Sequence, residues 1–253
     1  MSLAALIFDV DGTLADTERD GHRLAFNAAF SEFGLDWVWD VSTYGQLLAV
    51  TGGKERMTHY VDTMRLDYAK PADFGDLVVQ LHQAKTRHYT TLLAAGGIPL
   101  RPGVKRLLQA ARDQGVRLAI ATTTTPENVT ALLTHSLAPG SEAWFEAIGA
   151  GDIVPAKKPA SDIYRWVLQV MKLKPEQCLA FEDSENGLKA SQGAGLKTVV
   201  TINDYTRDHD FTGATVVLSD LGEVDAPFQV LCGAAQGKRY VDLELLRIWH
   251  AAP

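Results

Sequence analysis

Cysteine is nearly absent: Cys178 and Cys232 are the only two in 253 residues, they lie far apart, and no CxxC pair occurs. Neither a disulfide framework nor a zinc ligand set is therefore expected, and a reducing cytoplasm suits the chain. Cys178 borders the apolar run Leu179-Ala180-Phe181 and reads as a small buried hydrophobe. Long apolar stretches are missing as well. No window approaches the roughly 18 residues of a membrane helix, and no basic segment runs into an apolar one near Met1, so neither a membrane nor a secretory leader is expected. Positive charge is scarce: 24 Lys and Arg face 31 Asp and Glu, for a formal net charge of -7. That balance argues against a nucleic-acid partner, although a few local cations would suffice for a small anion. There is no GxxxxGK followed by Ser or Thr, so nucleotide-driven transfer is not expected either. Repeats and low-complexity segments are also lacking.

What is present is a globular composition, 46% hydrophobic and 22% charged. Leu3 to Val10 is a short apolar run with acids at its end and Gly12 beyond, which predicts a buried parallel strand. Similar runs recur at 117–123, 178–181 and 197–201, with a weaker one at 214–218. Helical spacing marks 102–114, bounded by Pro102 and Gly115, and two more helices at 161–171 and 184–192. This alternation predicts an α/β fold, a Rossmann-like parallel sheet covered by helices on both faces. From Thr17 to Leu93 the pattern turns helical, with Trp37, Trp39 and several Tyr, which predicts an inserted all-helical cap domain after the first strand. The expected organisation is a discontinuous core, 1–16 and 94–225, a helical lid, 17–93, and a tail, 226–253, packed on the core by the stripe Val241, Leu245, Leu246 and Trp249.

The segment Phe8-Asp9-Val10-Asp11-Gly12-Thr13-Leu14 sets two carboxylates two residues apart after a strand, where period-two geometry points both to one side. A hard divalent cation with oxygen ligands relieves their repulsion, and Mg2+ is the usual occupant beside phosphate. An Asp-Gly turn is the plain structural alternative. Asp9-Val10-Asp11-Gly12-Thr13 resembles the first motif of the haloacid dehalogenase superfamily of aspartate-nucleophile phosphotransferases. The resemblance implies that Asp9 attacks phosphorus and ligates the metal. Asp11 would be the acid and base, lending its main-chain carbonyl to the metal. A carboxylate nucleophile divides a difficult hydrolysis into two easier steps, and one acid/base serves both.

The later motifs follow in order. Thr122, ending Leu118-Ala119-Ile120-Ala121, resembles the hydroxyl that holds the transferring phosphoryl group, with Thr123 and Thr124 adding donors. Lys158 before Pro159 resembles the charge-neutralising lysine, and Lys157 is left as a solvated or accessory residue. Glu182-Asp183-Ser184 resembles the acids that complete the metal shell, Asp183 directly and Glu182 directly or through water.

The lid resembles that of the branch containing β-phosphoglucomutase and small sugar-phosphate phosphatases. Ala15 to Arg23 and Thr51-Gly52-Gly53-Lys54-Glu55-Arg56 look like the CbbY-type phosphatases of the Calvin cycle. That group implies removal of xylulose 1,5-bisphosphate, a by-product that inhibits Rubisco. Glu18 and His22 would contact the sugar, and Lys54 and Arg56 the second phosphate, with Lys85 a further candidate. Between Thr17 and Ala25 the chain is one residue longer than the mutase pattern, so matching His22 to the mutase histidine needs an insertion. The expectation is a cytoplasmic, monomeric, Mg2+-dependent phosphatase acting on a small phosphorylated sugar, with no required protein partner. A phosphosugar mutase, a broad-specificity phosphatase acting on phosphoglycolate or other monophosphates, and a non-catalytic binding protein are the alternatives.

Overall fold

The structure is a computed structural model that describes residues 2–252. Residues 1 and 253, the outer ends of the expected core and tail, lie outside the described residues. The first apolar run forms β1 (Ala5–Phe8), fully buried, at the centre of a sheet ordered β3-β2-β1-β4-β5-β6-β7. Its members are β2 (Arg117–Ala121), β3 (Ala147–Gly149), β4 (Cys178–Glu182), β5 (Lys197–Thr201), β6 (Val216–Leu218) and β7 (Val230–Cys232). The first six are parallel, and β7 joins β6 antiparallel.

Beyond residue 226 the described chain first extends the sheet through this edge strand and then forms a helix over Leu243–Ala251. The residues of β7 are exposed, so no buried run announces it. β3 is equally short, with three residues.

Alternation along the strands sorts large from small side chains. Leu6, Phe8, Leu118, Ile120, Leu179 and Phe181 face one side, where α5 (Val104–Asp113) and α9 (Leu243–Ala251) cover them with Leu107, Leu108, Leu245, Leu246 and Trp249. Ala5, Ile7, Ala119, Ala121 and Ala180 face the other, under α7 (Asp162–Met171) and α8 (Glu185–Gly193). Small residues on that face let both helices approach closely. No helix among the described residues is long and apolar enough to cross a membrane.

Between β1 and β2 the chain runs through α1 (Arg23–Glu32), α2 (Val41–Leu47), α3 (Gly53–Thr63) and α4 (Phe74–Ala94). These helices enclose their own core of Phe26, Phe30, Trp37, Trp39, Tyr44, Met57, Tyr60 and Leu81. Several aromatic rings there meet at steep angles, Trp37 on Tyr60 at 68° and Trp39 on Tyr60 at 75°, the edge-to-face geometry their quadrupoles favour. Between Thr17 and Ala25, where one residue more than the mutase pattern is expected, Glu18–His22 forms one wide turn with five-residue hydrogen bonding that runs straight into α1. Such a turn is how a helix accepts a single insertion without losing its direction. The later half of α4 carries Tyr89 and Leu93 into the main core, and the returning chain pairs with the outgoing one at Ala15 and Leu100. Both connections therefore sit at the carboxyl end of β1, beside the crevice where open α/β sheets bind ligands.

Candidate active site

Asp9 is the first residue past β1. Its amide donates to Phe181 O at 3.0 Å, so the carboxylate is fixed from the sheet. The chain then turns sharply, with Thr13 and Leu14 amides donating to Val10 O at 3.2 and 2.9 Å. Gly12 sits at φ 84°, and a Cβ there would collide with the Asp183 carboxylate. Both the backbone and the neighbour therefore demand glycine. Arg101, buried where the chain returns from the helices, donates to the carbonyls of Gly12 and Ile202, to Thr201 O at 3.1 Å and to Ser219 O at 2.8 Å. One guanidinium thus ties the turn to the ends of β5 and β6, as its planar fork of donors allows.

Lys158 Nζ donates to Asp9 Oδ1 and to Glu182 Oε1, each at 2.6 Å, and all three side chains are buried. Tyr164 OH donates to the same Glu182 oxygen. The other, Glu182 Oε2, is buried without a partner. Asn203 Nδ2 donates to Asp183 Oδ2 at 2.7 Å. One ligand atom each from Asp9, Glu182 and Asp183 lies within 4.8 Å of the others. A buried orphan oxygen inside a triad of carboxylates fits a hard cation of the Mg2+ kind better than a purely structural cluster.

Burial pushes the Asp9 carboxyl up to about 7, with Glu182 and Asp11 adding to the rise and Lys158 opposing it. Asp183 is raised well above the carboxylate range by burial and then by Asp9 and Glu182. Burial disfavours the Lys158 ammonium, yet Asp9 and Glu182 hold it well above its ordinary value. Three acids crowded on one lysine leave a surplus of negative charge, which a divalent ion would neutralise.

Asp11 points the other way. Its Oδ1 accepts from Thr17 Oγ1 at 2.6 Å and lies 2.8 Å from His22 Nε2. Burial would raise this carboxyl, but His22 and the Thr17 hydroxyl hold it far below its usual range. The side chain stands apart from the three-acid cluster, which leaves it available for proton transfer. Glu18 accepts from Tyr44 OH, and Arg56 Nη1 donates to the Tyr44 oxygen at 2.9 Å while its Nε reaches Leu47 O at 3.2 Å. Lys85 is buried with its ammonium 5.1 and 5.3 Å from the ring centres of Phe26 and Tyr89, and burial lowers it to about 8.

These groups converge on a cavity of about 330 Å3 lined by Asp9, Asp11, Glu18, Arg56, Thr122, Thr123, Lys158, Glu182 and Asp183. A narrow recess of about 40 Å3 adjoins it, lined by His22, Lys85, Thr123, Thr124 and Asn128. Every residue singled out from the sequence therefore borders the cavity or its recess except Lys54, whose Nζ donates to Asp152 Oδ2 at 2.6 Å beside a neighbouring cavity. Sequence reasoning missed Tyr44, Arg101, Asn128, Tyr164 and Asn203. Asn203 carried a usable signal, as a polar turn residue just past a strand end. Tyr164 carried none, because a Tyr on an apolar helix face reads as core.

A family model described as haloacid dehalogenase-like hydrolase matches residues 3–195. A parallel sheet with an acidic cluster at the end of its first strand defines that class, and the chain belongs to the haloacid dehalogenase-like hydrolases. Within it the chain is 48% identical to the protein CbbY, plasmid, of Cupriavidus necator, over 98% of this chain and 97% of that protein. The crystal structure of CbbY from Rhodobacter sphaeroides in complex with phosphate is 44% identical, with a TM-score of 0.81 over 86% of this chain and 94% of that one. A mutant of the same protein in complex with xylulose-(1,5)bisphosphate is 42% identical, with a TM-score of 0.81 over 88% and 98%.

Proposed function

We propose that this chain is a Mg2+-dependent phosphatase of small sugar phosphates, with xylulose 1,5-bisphosphate as its substrate. The observation that carries the reading is the buried Asp9–Lys158–Glu182 cluster with its unpartnered Glu182 oxygen, lining a cavity whose adjoining recess holds a second cation, Lys85. The relative crystallised with that bisphosphate supports the choice of substrate.

An Asp9 oxygen bonds to phosphorus as the ester P–O bond breaks, and the leaving sugar oxygen takes a proton from Asp11. Water then gives a proton to Asp11 as its oxygen displaces Asp9 and frees phosphate. Each half uses the same acid/base in opposite senses. The low position of Asp11 suits the base role, and an incoming phosphate dianion raises it toward the acid role. Lys158 and the Thr122 hydroxyl hold the transferring oxygens, with Thr123 beside them. Mg2+ on Asp9, Glu182, Asp183 and the Asp11 carbonyl would supply neutralisation of the phosphoryl charge.

Glu18 and His22 contact the sugar in this reading, and Arg56, Lys85 and Thr124 serve the second phosphate. Lys54 joins them only by exchanging Asp152 for substrate. The core is 1–16 with 94–225, the specificity lid 17–93 and the packing tail 226–253. The protein works as a cytoplasmic monomer on small molecules. A phosphate-release screen tests this: xylulose 1,5-bisphosphate is expected to exceed ribulose 1,5-bisphosphate and simple monophosphates in kcat/KM. Isomerisation of β-glucose 1-phosphate primed with glucose 1,6-bisphosphate, faster than phosphate release, would replace it with a mutase.

A further inference from the structure

Lys157 and Lys158 are neighbours whose ammonium groups part company. Lys158 turns into the buried cluster, whereas Lys157 Nζ meets the Glu55 oxygens at 2.8 and 3.0 Å and Asp152 Oδ1 at 3.1 Å. The second oxygen of Asp152 takes Lys54 at 2.6 Å. The result is a chain of alternating charges, Glu55–Lys157–Asp152–Lys54, that joins the first turn of α3 to the loop between β3 and α7. Gly52, at φ 99°, makes room for it: a Cβ there would overlap Glu55 and lie 2.9 Å from Lys157 Nζ. Across the cavity, Asn186 Nδ2 donates to Thr51 Oγ1 at 3.2 Å and Ala49 O at 3.3 Å. Lys157 adjoins Lys158 and Asn186 follows Asp183 by three residues, so segment 49–56 is gripped by the stretches that carry two site residues.

We infer that Lys157, Asp152 and Asn186 are positioning residues that clasp segment 49–56, the loop before α3 and its first turn, over the cavity, and that Lys54 belongs to this clasp instead of binding a substrate phosphate. The inference rests on the phosphatase reading of the same cavity. A single half-exposed ion pair contributes little, but a shared network opens as a unit. Losing it lowers the closed fraction, and the apparent affinity for any substrate falls by that fraction.

Asp152→Asn and Lys157→Gln are therefore expected to raise KM about five- to tenfold for the bisphosphate and for an aryl monophosphate alike, with kcat changed less than about twofold. Lys157→Arg restores wild-type KM. In hydrogen–deuterium exchange without substrate or Mg2+, amides of 49–56 exchange faster in Asp152→Asn than in wild type. A loss confined to the bisphosphate would make these cations phosphate ligands and overturn the clasp, as would equal exchange in the two proteins. Should wild type release no phosphate, the reading of the site fails while the exchange result still decides the clasp.

Discussion

The sheet end and the helical insert face one cavity and are held by different forces. On the sheet side charges hold one another in place: Lys158 binds two carboxylates, Glu182 also takes Tyr164, and Asp183 takes Asn203, with one Glu182 oxygen left over. On the insert side the support is aromatic, and Lys85 lies against ring faces of Phe26 and Tyr89. The difference matches two demands on the cavity. Handling a phosphoryl group needs the same fixed charges for every ester, and rigid burial supplies them. Selecting the ester needs groups that meet ligand directly, and a desolvated cation against rings gains most from an incoming anion.

Replacing the nucleophile should break the sheet side outright. Asp9→Asn is expected to lower Mg2+-dependent phosphate release from any substrate by about 10⁴-fold or more while circular dichroism stays native; undiminished turnover would rule out Asp9. Gly187→Ala is the next largest. Alanine favours helix, yet a Cβ at this first-turn position of α8 would overlap the Glu182 carboxylate. A fall of about 10- to 100-fold in Mg2+ affinity is expected by titration calorimetry, and an unchanged affinity would detach Glu182 from the metal.

The insert side should respond through binding and pH. Burial holds Lys85 at about 8, so it is charged below that value and neutral above it. The kcat/KM for the bisphosphate, which reports the free enzyme, should therefore fall as pH rises through about 8, with a smaller fall for an aryl monophosphate. Lys85→Arg should move that limb upward, and Lys85→Met should cost about tenfold at pH 7. A limb that stays in place in the arginine variant would assign it elsewhere. Smallest is Tyr164→Phe, which removes one of two donors to a Glu182 oxygen and should weaken Mg2+ a few-fold without shifting the Lys85 limb.

Much of this molecule was legible in its sequence, for identifiable reasons. β1, β2, β4 and β5 are buried on both faces, so each reads as a mainly apolar run, and the acids at the ends of β1 and β4 stand out against it. β3 and β7 have three residues each, and β7 is exposed, so neither leaves a pattern. Lys54 illustrates the limit at the site. It stands in the first turn of α3, and its partner Asp152 lies 98 residues away, so no local pattern announces the pairing.

The sequence by itself determined the order of the buried strands and main helices and the helical insertion, because these follow from local periodicity, and it offered the site residues through motifs that resemble a family's. Only the tertiary structure decided which charges commit to each other. Lys157 and Lys158 are neighbours, and the partners of each come from the fold: Glu55 and Asp152 for Lys157, Asp9 and Glu182 for Lys158. Asp11 likewise faces His22 and not the acid cluster, since one wide turn after Thr17 brings that ring to it. Asp9, two residues earlier, becomes a nucleophile candidate through its surroundings: β1 fixes its position, and strand ends far along the chain surround it with a lysine and two more acids.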